Sequence, residues 1–115
     1  MRKNIIIILL DALRKDNLSC YGHKKKTTPN IDSIAQKSII FNNAFCCINA
    51  TDPSITSIFS GLSPHTHGII NHGYKITGKE ISTFMRKDIP LLQQILKKNG
   101  YRTYGLDWLG RWHKK

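Results

Sequence analysis

Valine is absent, acidic residues are scarce and no long apolar run occurs, and each shortage closes off a class of protein. The longest uncharged apolar run, Ile5 to Leu10, has six residues. A membrane-spanning helix needs about 18 or more, and even a signal-peptide core is usually longer. No membrane segment or cleavable signal is readable, which gives a cytoplasmic expectation. Cysteine is sparse and odd in number: Cys20, Cys46 and Cys47, spaced neither as a zinc site nor as a redox pair. They read as reduced, partly buried thiols. Gly-rich phosphate loops of the GxxxxGK[ST] type are also missing, as are internal repeats and low-complexity segments.

Against 7 Asp+Glu stand 18 Lys+Arg, a formal net charge of +11 over 115 residues. Arg14, Lys15, Lys24, Lys25 and Lys26 form a basic stretch, but no aromatic residue is interleaved among the lysines and no DNA-reading motif is present. A solvated basic loop accounts for them, and the pattern argues against a nucleic-acid partner. The length limits the chain to one domain. With 17 Ile, 10 Leu and 4 Phe it is too apolar for the composition of disorder.

Asn4 to Leu10 (NIIIILL) reads as a strand buried on both faces, the kind found in parallel sheets. Asp11 follows at its carboxyl end, the edge where open α/β sheets bind ligands. Thr28 and Pro29 signal a helix carrying Ile31, Ile34 and Ala35, through Lys37, and Ser38 to Phe45 reads as a second strand. Thr51, Asp52 and Pro53 repeat the helix-start signal, with Pro53 expected at the first helical position. Ile55, Ile58, Phe59 and Leu62 then form one apolar stripe, and Gly61 marks the end. That places the Thr51 hydroxyl at a helix N-terminus, where free N–H groups suit an anion, unless Thr51 or Asp52 only caps the helix. Ser63 to Gly78 reads as an irregular connection. Asp88, Ile89 and Pro90 read as the opening of a third helix closed by Asn99 and Gly100, and Tyr101 to Leu106 as a third strand. The alternation predicts an α/β fold, a mostly parallel sheet flanked by helices.

These features in this order resemble the N-terminal part of the sulfatase family, in the alkaline-phosphatase-like superfamily. The stretch IIIILLDALRKDNLSCYG is similar to its opening metal-binding strand. Thr28 to Asp32 match TPNxD, and Phe41 to Ala44 resemble the strand before the nucleophile. Gly61 to Gly68 match GLxPHxHG, Gly100 to Thr103 match GYRT, and Gly110 to His113 resemble GKWH. The resemblance covers nearly the whole chain, so residues 1–115 are expected to be the N-terminal portion of a sulfatase-like catalytic domain. It implies a hydrolase or phosphotransferase acting on sulfate or phosphate esters of small molecules, glycans or lipids.

Residue by residue, the resemblance makes Asp11 a metal ligand, Thr51 both nucleophile and metal ligand, and Arg111 and His113 contacts to the ester oxygens or leaving group. Three departures bear on the chemistry. Thr51 stands where sulfatases have the Cys or Ser converted to formylglycine, and threonine cannot give that aldehyde, which argues against formylglycine. Ile55 stands where the motif has an arginine, and Ala12 where many sulfatases have a second aspartate. The implied cofactor is a divalent metal, Ca²⁺, Mg²⁺, Mn²⁺ or Zn²⁺. A hard cation takes about six oxygen ligands, and two are identified here, the rest lying downstream in the family. The isolated chain is therefore expected to bind metal poorly, to be inactive and to be marginally stable without its missing C-terminal half. The competing readings are a degenerate, non-catalytic member of the family and a basic polyanion-binding module.

Overall fold

The computed structural model describes residues 3–106, which form two compact units divided between Ala44 and Phe45. In the first unit, residues 3–10 take no helix or strand, and a turn at Asp11 and Ala12 follows, with Ala12 at φ +58°. Two single 3₁₀ turns, Lys15–Asn17 and Ser19–Tyr21, lead to helix α1, Pro29–Ala35. Thr28 precedes α1 as the sequence predicts. Its hydroxyl accepts from the Ser19 N–H (3.2 Å) and donates to Asp32 Oδ1 (3.2 Å), and the same oxygen accepts the Cys20 N–H at 2.9 Å. Asp32, from the first turn of α1, thus ties the Ser19–Tyr21 turn to the helix. Tyr21 Oη and Lys15 Nζ donate to the carbonyls of Phe41 (3.0 Å) and Asn42 (3.1 Å), which anchors the end of the unit.

The second unit is helical: α2, Thr51–Ser60; α3, Pro64–His67; α4, Gly78–Arg86; and α5, Leu92–Lys98, with a 3₁₀ turn at Gly73–Lys75. Its core is small. Ile69, Phe84 and Leu91 are fully buried, with Phe59 and Ile89 packed against them. Gly61 ends α2 at φ +69°, its N–H donating to the Ser57 carbonyl at 2.8 Å, a position where any Cβ would strain the backbone.

Among the described residues no β-strand forms, so the three expected strands, and the parallel sheet built from them, are absent there. Ile5 to Leu10, expected to be buried, are 45% to 83% exposed. An apolar run becomes a strand only when a neighbour takes up its N–H and C=O groups. Cys46 and Cys47, expected to be partly buried, are exposed; all three cysteines are free.

The helices also correct the sequence in detail. α2 buries Asp52, Pro53 and Thr56 and leaves Ile58 47% exposed, while Phe59 of the expected stripe packs against the core, so the buried face is rotated only partly from that stripe. Burial of that polar face is tolerated because its groups are bonded, with Thr56 Oγ1 donating to the Asp52 carbonyl at 2.7 Å. α5 starts at Leu92, after the expected Asp88–Pro90, because Asp88 is left-handed (φ +47°) and buried Leu91 is extended. The stretch read as an irregular connection contains α3. Its last turn leads into α4, which opens on a capping box between Thr77 and Glu80.

Candidate active site around Thr51

Thr51 is the first residue of α2, which begins two residues earlier than the sequence predicts, and Pro53 is the third. Pro53 costs no hydrogen bond there, because the first-turn N–H groups have no intrahelical partner. Neither Thr51 nor Asp52 caps the helix: Ala50 is the N-cap residue, in extended conformation and without a side-chain cap bond.

Asp52 is 1% exposed and its carboxylate is turned into the loop that precedes the Gly73–Lys75 turn. Oδ2 accepts the His72 Nδ1–H at 2.6 Å and the Gly73 N–H at 2.7 Å. His72 Nδ1 also lies 3.4 Å from the Asp52 backbone nitrogen, so the imidazole stands beside the peptide that joins Thr51 to Asp52. His72 is about half exposed, against 2% for the Asp52 side chain. A buried carboxylate therefore orients a half-exposed imidazole at the helix end that carries Thr51. The pairing spans 20 residues, and nothing local in the sequence signals it.

One turn further along α2, Ser57 Oγ donates to the Pro53 carbonyl (2.9 Å) and meets the Cys47 thiol (3.3 Å) and His67 Nε2 (3.0 Å). The remaining anchor of the segment is Glu80. Oε1 accepts the N–H groups of Ile70 and Asn71, both at 3.1 Å; Oε2 accepts Asn71 Nδ2 (3.0 Å), the Thr77 N–H (2.9 Å) and the Thr77 hydroxyl (3.0 Å). Desolvation alone would raise its pKa, but the hydrogen bonds from the Asn71 side chain and from the Thr77, Ile70 and Asn71 backbone together hold it down at about 2. The Thr77-x-x-Glu80 spacing was the sequence signal for this residue.

Of the residues singled out in the sequence, Asp11 lies exposed in the turn of the first unit and Thr51 at the head of α2 in the second. Arg111 and His113 lie outside the described residues. Asp11 and Thr51 are oxygen donors of the kind a hard cation takes. Among the described residues no group of three or more His, Cys, Asp or Glu could hold a metal ion, so they do not by themselves assemble a metal site. No helix among them is long and apolar enough to cross a membrane.

Thr51, Pro53 and Ser54 thus occupy the first turn of a helix that runs into Gly61 and the Pro64–His67 turn, the order of the sulfatase nucleophile region. The sulfatase family model matches residues 3–115. The chain belongs to the sulfatase family. It is 35% identical over 102 residues to iduronate 2-sulfatase of Mus musculus, covering 87% of this chain and 17% of that protein. It is 33% identical over 112 residues to N-acetylglucosamine-6-O-sulfatase of Bacteroides thetaiotaomicron, covering 97% and 18%. To the uncharacterized sulfatase YidJ of Escherichia coli it is 30% identical over 112 residues, covering 97% and 20%. The chain spans about a fifth or less of the length of these relatives. No solved structure matches it.

Proposed function

We propose that residues 1–115 are the N-terminal part of a sulfatase-like catalytic domain that cleaves or transfers sulfate or phosphate esters, with Thr51 as nucleophile. The observation that carries this reading is the placement of Thr51 at the head of α2, beside an imidazole oriented by buried Asp52. In the proposed reaction the Thr51 hydroxyl gives up its proton as Oγ forms a bond to the phosphorus or sulfur. The bond to the ester oxygen breaks, and the departing alkoxide takes up a proton. Water then releases the group from threonine. The helix N-terminus favours the negative charge of the ester. In this reading Arg111 and His113 contact the ester oxygens, Arg111 as a bidentate donor. A divalent metal belongs to the proposal, with Asp11 and Thr51 as two of its oxygen ligands and the others supplied by the remainder of the domain. The same remainder would pair Ile5 to Leu10 into the parallel sheet of the alkaline-phosphatase-like fold. Sulfated or phosphorylated small molecules and glycans are the proposed substrates, in line with the sulfatases it resembles.

The test is the coding sequence on both sides of these residues, followed by kinetics on the protein it encodes. A downstream Asp-His or Asp-Asn pair after an apolar strand is expected. In that protein Thr51→Ala should lower turnover of an aryl phosphate or aryl sulfate by roughly 10³-fold or more, while Thr51→Ser keeps part of it. Trapping one phosphoryl or sulfuryl group on the Thr51 peptide would be the direct observation. Unchanged turnover in Thr51→Ala would refute the nucleophile. The non-catalytic alternative draws on Ile55, which stands in the place of the motif arginine. It predicts a chain that folds without metal and shows no turnover even when the coding region is complete.

A further inference from the structure

His67 is fully buried between three elements of the second unit. Its Nδ1 accepts the Ile69 N–H at 3.1 Å. Nδ1 is therefore unprotonated, and the neutral ring carries its proton on Nε2, which donates toward Ser57 Oγ at 3.0 Å. The ring meets Phe84 of α4 edge to face, with centroids 6.4 Å apart and planes at 85°. Every polar atom of the neutral imidazole is thus used, and there is no place for a second ring proton: on Nδ1 it would confront the Ile69 N–H inside the core.

The surroundings do not welcome a charge. From the C-cap of α4, Lys87 places its ammonium on the Thr66 carbonyl at 2.6 Å. From the α2 side the facing groups are the Ser57 hydroxyl, the Pro53 carbonyl and, through Ser57, the Cys47 thiol. Asp52, at the other end of α2, is engaged with His72 and Gly73. On α3 itself His65 is exposed, and α5 carries charge only in its last turn, at Lys97 and Lys98.

We propose that His67 is a pH-sensitive latch: neutral, it seats α3 and the segment after it on α2, and a second proton releases them. Burial pushes its pKa below the usual histidine value; the Pro53 carbonyl opposes this and the Lys87 charge adds to it. Because the folded value is depressed, the latch is fully closed above the usual value of about 6.5 and weakens as pH falls below it. The segment that follows it, residues 68–73, ends in His72 and Gly73, the two groups bonded to the Asp52 carboxylate. Acid is therefore felt at the head of α2.

The experiment is a ¹⁵N titration of the histidine rings in the full 115-residue chain, together with urea unfolding from pH 7.5 to 5. At pH 7.5 His67 should show an unprotonated Nδ1 and a protonated Nε2. Between about pH 6.5 and 5 the unfolding constant should rise by up to about tenfold per pH unit. His67→Asn, which retains an acceptor for the Ile69 N–H, should remove that slope, and His65→Asn should retain it. A slope that persists in His67→Asn overturns the proposal. So does a His67 ring that takes up its second proton while the α2 and α3 amide signals stay in place. If the asparagine variant does not fold, the ring titration of the unsubstituted chain decides; free-imidazole signals for His67 at pH 7.5 count against the latch.

Discussion

Phe84→Ala should unfold the second unit. Phe84 is 2% exposed and, with Ile69 and Leu91, forms the buried hydrophobic cluster of the described residues. Removing a buried phenyl ring costs about 3–5 kcal/mol, the lost transfer energy plus the cavity left behind. Whole domains are stable by about 5–15 kcal/mol, and small ones lie at the low end. Phe84 also forms the wall against which His67 stands, so its loss opens the seat of α3 as well as the core. The expected result is loss of the α2 and α4 helical signal in circular dichroism and collapse of amide dispersion for residues 51–98 at neutral pH. Phe84→Leu retains most of the volume and should leave a folded unit with a lower urea midpoint. If Phe84→Ala keeps native dispersion and loses less than about 1 kcal/mol, the ring does not form the core.

Glu80→Gln is the second substitution with a large expected effect, about 2 kcal/mol. Glu80 accepts from five groups, two on Oε1 and three on Oε2. An amide presents donors where the carboxylate presented an acceptor, so either Ile70 and Asn71 or Thr77 and Asn71 lose their partner. Desolvation works against the charge, yet the Asn71, Thr77 and Ile70 hydrogen bonds prevail and hold the pKa at about 2 instead of 4.5. A depressed carboxylate contributes stability that is fully present above its unfolded value and lost as pH falls through its folded value. Unsubstituted chain should therefore lose this contribution between about pH 4.5 and pH 2. Glu80→Gln should start from the lower stability and show a flatter curve in that window. The window lies below the one assigned to His67, so urea midpoints taken at pH 7, 5.5 and 3 separate the two residues. A glutamine variant with unchanged midpoint at pH 7 would mean that Glu80 does not hold residues 70–71 to α4.

Family membership and the order of motifs were legible in the chain itself, because they depend on local chemistry. Thr28-Pro29 opens a helix wherever it occurs with an apolar periodicity behind it, and α1 starts there. Gly61 and Gly100 end helices because they accept positive φ, and both do so here, at +69° and +79°. The head of α2 is legible from its Thr-Asp-Pro start signal, which places Thr51 at a helix N-terminus. The Thr77-x-x-Glu80 signature of α4 is equally local, yet it is passed over when Ser63 to Gly78 is read as an irregular connection.

Everything that depends on partners distant in sequence was decided by tertiary structure. Ile5 to Leu10 carry the composition of a buried strand, but a strand needs neighbours, and among the described residues none forms. The buried face of α2 keeps Phe59 of the expected stripe but adds Asp52 and Thr56, which bury at low cost once their polar atoms are bonded. His72 joins Asp52 across 20 residues, and His67 joins Ser57 across 10, through loops whose course no periodicity encodes. Local patterns therefore determined the family, the helix ends and the position of Thr51. Packing alone decided which polar groups surround it, since burial and hydrogen-bond partners are properties of contacts that the sequence does not order.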